Sequence, residues 1–212
     1  MASPKPKFRV VIVGGSIAGL TLAHCLLRNN IDFVVLEAHN EIAPQVGASI
    51  GIIPNGARIL DQLGLFDDIL DTTEPMQESS YWTQEGNLIV RNDTPQLIHK
   101  RHGYPIAFVD RQVVLKVLYD HLADQQDRIL VGKKVIKVEN LHGKVKVHCA
   151  DHSVFDGDLV VGADGVRSIV RQQMWDYMES RGLKREALRE RNGMLRIFCN
   201  FLDTAMRKPA VD

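Results

Sequence analysis

An apolar strand that runs into a glycine turn, a helix, a second strand and then an acid leaves a chain few ways to fold. Residues Arg9 to Val13 are a β-branched apolar run. Gly14-Gly15-Ser16-Ile17-Ala18-Gly19 reads as the turn, and Leu20 to Leu27 has helical spacing. Phe33 to Leu36 is apolar again, and Glu37 closes the unit. This order predicts a βαβ unit, the opening of an α/β fold built on a parallel sheet.

The same residues carry a chemical expectation. The first turn of a helix offers N–H groups without intrahelical partners and the positive end of the helix dipole, which together suit a pyrophosphate. Gly14 allows a tight turn out of the strand, and Gly19 lets the helix lie close to the sheet. Ser16 stands where the dinucleotide fingerprint has its middle glycine; its small side chain still admits a close backbone approach, and its hydroxyl is a phosphate donor. Glu37 follows Gly19 by 18 residues, near the spacing of a ribose-binding acid. A carboxylate there accepts from ribose hydroxyls and repels a 2′-phosphate. The expected ligand of this unit is therefore FAD or NAD rather than NADP. The plain alternative is a structural turn with a solvated acid; the complete strand–turn–helix–strand–acid context argues against it.

Three later segments extend the pattern. Gly47 to Gly56 places two glycines around a β-branched pair, so the backbone can pass close to a flat ligand, and Pro54-Asn55-Gly56 turns into a helix with apolar Ile59, Leu60 and Leu63. Asp110-Arg111 opens a second amphipathic helix. Leu159 to Arg171 reads as a buried strand, a glycine–acid turn at Gly162 to Gly165, and a new helix.

On Gly14 to Leu20, Glu37, Gly47 to Gly56, Arg111 and Gly162 to Arg171, in that order, the chain resembles the FAD-dependent aromatic hydroxylase-like monooxygenases. Within them it is similar to fungal enzymes that epoxidise prenyl chains in indole-diterpene (paxilline-type) and meroterpenoid biosynthesis. The resemblance implies a Rossmann-like FAD-binding domain of the glutathione-reductase type with an incomplete β-rich substrate domain. It implies that Gly14, Ser16 and Gly19 face the pyrophosphate and that Glu37 holds the adenosine ribose. Gly51 would lie against the cofactor through its backbone. Arg111 would contact the pyrophosphate region, where a guanidinium fork suits phosphate oxygens. Asp164 and Gly165 would form a motif that touches FAD and supports NADPH use. Arg111 also fits a surface residue at a helix start, and Asp164 also fits a cap of the helix that begins near Val166.

In such enzymes NADPH reduces FAD, and the reduced flavin with O₂ oxygenates a hydrophobic prenylated or terpenoid substrate; the cofactor carries the chemistry. No catalytic acid or base is assigned. The expected later motif, GDxxHxxxPxxGQG, is absent from the sequence, and Leu202 to Pro209 is only faintly similar to it. The chain therefore reads as the amino-terminal portion of an enzyme, with low or absent monooxygenase activity expected of it alone. A non-catalytic nucleotide-binding remnant and a flavin-dependent reductase are the alternatives; an NAD-dependent dehydrogenase fits the Arg111 and Gly162 to Arg171 segments poorly.

Composition excludes other classes. Formal net charge is zero, which gives no electrostatic case for nucleic acid or anionic membrane. Three scattered cysteines, Cys25, Cys149 and Cys199, form no CxxC pair, so neither a disulfide framework nor a metal site is expected. His99 with His102, and His148 with His152, have no cysteine at zinc spacing and are expected on solvated strands or turns. No signal peptide or run of roughly 20 apolar residues is visible, so an intracellular protein is expected, with membrane association only in longer relatives.

The expected organisation is residues 1–72 and 109–172 as two parts of the FAD-binding domain, 73–108 as a substrate-sheet hairpin segment, and 173–212 as a helix and tail. The hairpin spans Tyr81 to Val90 around Glu85-Gly86-Asn87, and its Tyr81 and Trp82 fit either substrate contact or hairpin packing. Val113 to Gln125 and Arg167 to Glu190, the latter interrupted near Gly182, read as helices. Ile129 to Val138, Lys144 to Ala150 and Asp158 to Ala163 read as strands, and Trp175 and Tyr177 as core or interface residues.

Overall fold

A computed structural model describes residues 8–45 and 49–182. The elements, in chain order, are β1 (Arg9–Val13), α1 (Ile17–Arg28), β2 (Asp32–Leu36), β3 (Ser49–Ile52), α2 (Pro54–Gln62), α3 (Phe66–Leu70), β4 (Ser79–Trp82) and β5 (Leu88–Asn92). There follow α4 (Thr94–His102), β6 (Ala107–Asp110), α5 (Arg111–Asp120), β7 (Ile129–Leu130), β8 (Val135–Leu141), β9 (Lys144–Cys149), β10 (Val154–Gly157), β11 (Leu159–Gly162) and α6 (Ile169–Ser180). The chain divides into two compact units, Met1–Ile42 with Asp124–Asp212, and Ala43–Ala123.

The first unit is built on a parallel sheet in the order β11-β1-β2-β7. Val10 to Val13 pairs with Leu159 to Gly162 on one side and with Phe33 to Leu36 on the other. These strands are apolar on both faces because both faces are covered. Ile12 faces α1, where Leu20 and Ala23 are fully buried. Val11, Val13, Val34, Leu36 and Val160 face the other way, packed with Val135, Val145, Val147 and Cys149 from the antiparallel sheet β10-β9-β8. The expected α/β fold class is observed.

The second unit holds two small antiparallel sheets, β3 with β6 and β4 with β5, among α2 to α5. The expected hairpin is present as β4 and β5, with Tyr81 and Trp82 more than half exposed. In α2 the buried side chains are Ala57 and Leu60, while Ile59 points outward.

Several element boundaries differ from expectation. The helix expected over 113–125 ends at Asp120, because His121 caps it and the chain enters a 3₁₀ turn, Ala123–Arg128. Leu122 is nonetheless buried and keeps the apolar spacing that suggested a longer helix. The single strand expected over 129–138 is two strands in different sheets. Gly132, at φ +67°, breaks the run, and its N–H donates to the His39 carbonyl. His99 and His102 lie on α4, not on a strand or turn. Helices α3 and α4 and strand β10 were not expected. Helix α6 stops at Ser180 with Gly182 at φ +79° beyond it, and it buries no residue. Trp175 and Tyr177 are therefore not core residues; they stack under Arg171 and Arg181 at 5.5 and 5.1 Å. The expectations on Gly47 and Ala48 and on everything from Leu183 onward, Cys199 included, lie outside the described residues.

Candidate nucleotide site at the carboxyl edge of the parallel sheet

In an open parallel sheet, ligands bind outside the carboxyl ends of the strands, where the strand order reverses. Here the chain leaves β1 toward β2 and β7 and returns on the opposite side of β1 as β11. The reversal lies between β1 and β11, and their carboxyl ends carry the two glycine segments read from the sequence. Hydrogen bonds knit this edge. Gly14 N–H donates to the Leu36 carbonyl at 2.8 Å, Ala163 N–H to the Val13 carbonyl at 2.7 Å, and Glu37 N–H to the Leu130 carbonyl at 2.8 Å.

Two glycines are there for want of space. Gly14 has φ +107°, and a Cβ on it would sit 2.4 Å from the Ala163 carbonyl oxygen. A Cβ on Gly19 would sit 1.9 Å from the Gly14 carbonyl oxygen. The turn thus brings α1 directly onto the end of β1. Setting aside the five-residue α3, α1 is the described helix that starts with neither a capping side chain nor a proline; the Ser16 side chain does not cap it. By contrast, Asp110 accepts the Gln112 N–H in α5, and Ser168 accepts the Arg171 N–H in α6. Among the described residues, the first-turn amides of α1 are left without a capping side chain at the end of the sheet where ligands gather.

Glu37 directly follows β2 and is buried, 8% exposed. Its Oε2 accepts the Gly15 N–H at 2.6 Å, and its Oε1 accepts the His39 N–H at 2.8 Å. A carboxylate has about four acceptor positions, so each oxygen keeps capacity for a further donor.

Asp164 follows β11. Its Oδ2 accepts the N–H groups of Ile169 and Val170 at 2.7 and 3.3 Å, while its Oδ1 is buried with no hydrogen-bond partner among the described residues. The cap expected as one role of Asp164 is present. Gly165, at φ +74° and exposed, turns the chain toward α6.

Gly51 and Arg111 belong to the second unit. Gly51 is exposed in β3 and pairs with Phe108, whose ring edge would lie 3.2 Å from a Cβ at that position. A packing reason for this glycine is thus present beside the ligand-based one. Arg111 is the half-buried first residue of α5, behind the Asp110 cap.

Two carboxylates on the antiparallel sheet β10-β9-β8 and its turns are pulled below their usual range by ion pairs. Lys133 holds Asp151 down, helped by the Ser153 hydroxyl and N–H, and Lys137 with His148 does the same for Glu139. Among the described residues no group of three or more His, Cys, Asp or Glu could hold a metal, and no helix is long and apolar enough to cross a membrane.

Comparison with known proteins bears on this arrangement. The family model described as the FAD binding domain matches residues 7–187. The chain belongs to the FAD binding domain family. It is 51% identical over 174 residues to the FAD-dependent monooxygenase cle3 of Aspergillus versicolor, covering 81% of this chain and 35% of that protein. It is 48% identical over 171 residues to the FAD-dependent monooxygenase ptmM of Penicillium ochrochloron, covering 81% of this chain and 40% of that protein. The chain thus spans between 35% and 40% of the length of the curated relatives it matches. Among solved structures it is similar to Klebsiella pneumoniae HpxO complexed with FAD and uric acid, with TM-score 0.69 and 28% identity over 78% of this chain and 41% of that one. It is also similar to p-nitrophenol 4-monooxygenase PnpA from Pseudomonas putida, with TM-score 0.71 and 25% identity over 79% of this chain and 43% of that one.

Proposed function

We propose that this chain is the FAD-holding part of an NADPH-dependent monooxygenase that oxygenates a prenylated or terpenoid intermediate of fungal secondary metabolism. The observation that carries the reading is the meeting, at one reversal point of the parallel sheet, of the Gly14 turn, the uncapped start of α1 and the buried Glu37. These residues fit an adenosine diphosphate moiety: amides and helix dipole for the pyrophosphate, and carboxylate lone pairs for the ribose diol.

In this reading Gly14, Ser16 and Gly19 admit the pyrophosphate and Glu37 accepts from the ribose. A second negative charge on the ribose would be repelled by Glu37, so FAD takes this crevice and NADPH is used elsewhere. Asp164 and Gly165 present the end of β11 to the cofactor. Gly51 and Arg111 enter by resemblance, as backbone and guanidinium contacts to it. Residues 1–72 and 109–172 serve the cofactor, 73–108 serve the substrate, and the protein works inside the cell. When bound, FAD supplies the redox and oxygen chemistry; these residues hold and orient it.

The test gives a full-length enzyme that contains this sequence FAD, NADPH, isotopically heavy dioxygen and a prenylated indole. The reading predicts heavy oxygen in an epoxide product, dependent on NADPH. A product with added hydrogen and no added oxygen would support a flavin-dependent reductase instead. Failure to bind FAD would overturn both.

A further inference from the structure

The acid assigned to the ribose is already engaged within its own chain. Both Glu37 oxygens accept backbone N–H groups, one from Gly15 inside the glycine turn and one from His39 just beyond β2. A single buried carboxylate therefore ties the turn after β1 to the segment after β2. The packing is matched to this tie. A Cβ on Gly15 would lie 3.0 Å from the Glu37 Cβ, 3.2 Å from its Oε2 and 3.1 Å from the Ile42 Cδ1. A side chain on Gly15 would therefore require Glu37 and Ile42 to yield by a few tenths of an ångström. The Ser16 side chain does not cap α1, so the direction of its first-turn amides rests on how the preceding residues are fixed. Gly14 is fixed by the Leu36 carbonyl and Gly15 by Glu37.

We infer that Glu37 is a positioning residue for the phosphate-facing turn as well as a ribose contact, with Gly15 its partner in that role. This rests on the reading that the crevice takes a dinucleotide. The two amides occupy one acceptor site on each oxygen, which leaves acceptor capacity on each for a vicinal diol. A glutamine cannot replace the acid. Its one carbonyl oxygen serves one of the two N–H groups, and its NH₂ is set against the other.

The two roles separate when the ligand lacks ribose hydroxyls. If Glu37 only bound ribose, replacing it would leave affinity for such a ligand untouched. If it also positions the turn, that affinity falls too. The probes are ADP and 2′,3′-dideoxy-ADP, titrated calorimetrically into the chain and its Glu37→Gln and Gly15→Ala variants. Glu37→Gln is expected to weaken dideoxy-ADP by about tenfold, the scale of losing one charge-assisted hydrogen bond, and to weaken ADP further. The ADP-to-dideoxy-ADP affinity ratio then falls toward one, which general destabilisation would not produce. Gly15→Ala leaves the Glu37 carboxylate chemically intact and is expected to weaken dideoxy-ADP as well as ADP. Unchanged dideoxy-ADP affinity in Glu37→Gln overturns the positioning role.

Amide hydrogen exchange on the unliganded wild-type chain decides the point without any variant. The Gly15 and His39 amides are expected to be protected before any nucleotide is added. Exchange of Gly15 at the rate of an unstructured peptide overturns the inference, even where both variants fail to fold. If the wild type binds neither probe, the dinucleotide reading fails, and the exchange result still decides whether Glu37 fixes the turn.

Discussion

Gly19 shows how one missing carbon sets the geometry of a site. A Cβ there would have to displace the Gly14 carbonyl, 1.9 Å away, and with it the end of β1. Gly19→Ala is expected to destabilise the chain by about 2–3 kcal/mol, as overpacking does, and to abolish FAD binding; denaturant unfolding and flavin fluorescence titration check the two effects. Asp151 is a different kind of case, in which charge acts through pH. The Lys133 ammonium, then the Ser153 hydroxyl and N–H, hold its carboxyl well below the ordinary range. A depressed folded carboxyl adds stability above the unfolded value of about 3.9 and loses it as pH falls through the lower folded value. The melting temperature should therefore drop as pH falls from about 4 toward 2, and Lys133→Met should flatten that drop; an unchanged slope would rule out this pair as a contributor. At this scale the sequence was most legible where a residue type has a single steric use. Gly14 and Gly19 could be read for close approach because no side chain fits. The engagement of Glu37 by Gly15 and His39 could not, since a spacing of residues does not say which amide a carboxylate meets.

At the scale of elements, β8 is an edge strand whose exposed backbone is partly closed by a side chain. Gln173 on α6 accepts the Val138 N–H at 2.6 Å and donates its amide to the Ile136 carbonyl at 3.2 Å, as a neighbouring strand would. Open edges invite pairing with other chains. Gln173→Leu is expected to cost about 1 kcal/mol and to speed hydrogen exchange at Val138; unaltered exchange there would show that α6 does not seal the edge. Strands β1, β2 and β11 were legible because short apolar runs are bounded by turn residues, and β9 because Val145 and Val147 alternate with polar residues. The join between β7 and β8 was misread because Ile129-Leu130-Val131 runs on apolar up to Gly132, whose left-handed φ redirects the chain to another sheet. Helix α4 was missed although Asp93, Pro95 and Gly103 bracket it; its apolar content is low, and periodicity reads only elements with an apolar stripe. Strand β10 has four residues, with an acid and a glycine among them, too few to show alternation.

For the whole molecule, the account rests on one crevice within the first unit. The FAD binding domain match over residues 7–187 agrees with FAD as the ligand class. The order of the motifs was legible in the sequence, because a dinucleotide imposes the same turn, helix start and acid wherever it binds this way. The arrangement of β11 beside β1 was not legible, since it depends on pairing between segments about 150 residues apart. The most direct measurement is a nuclear magnetic resonance titration of the isotopically labelled chain with FAD. Binding in this crevice predicts saturation at one equivalent, with the largest shifts at the amides of Ile17, Ala18 and Gly19 and at Asp164 and Gly165, and reproduction of the α1 shifts by ADP alone. A folded chain whose α1 amides do not respond to FAD, or whose shifts are confined to residues 43–123, would contradict it.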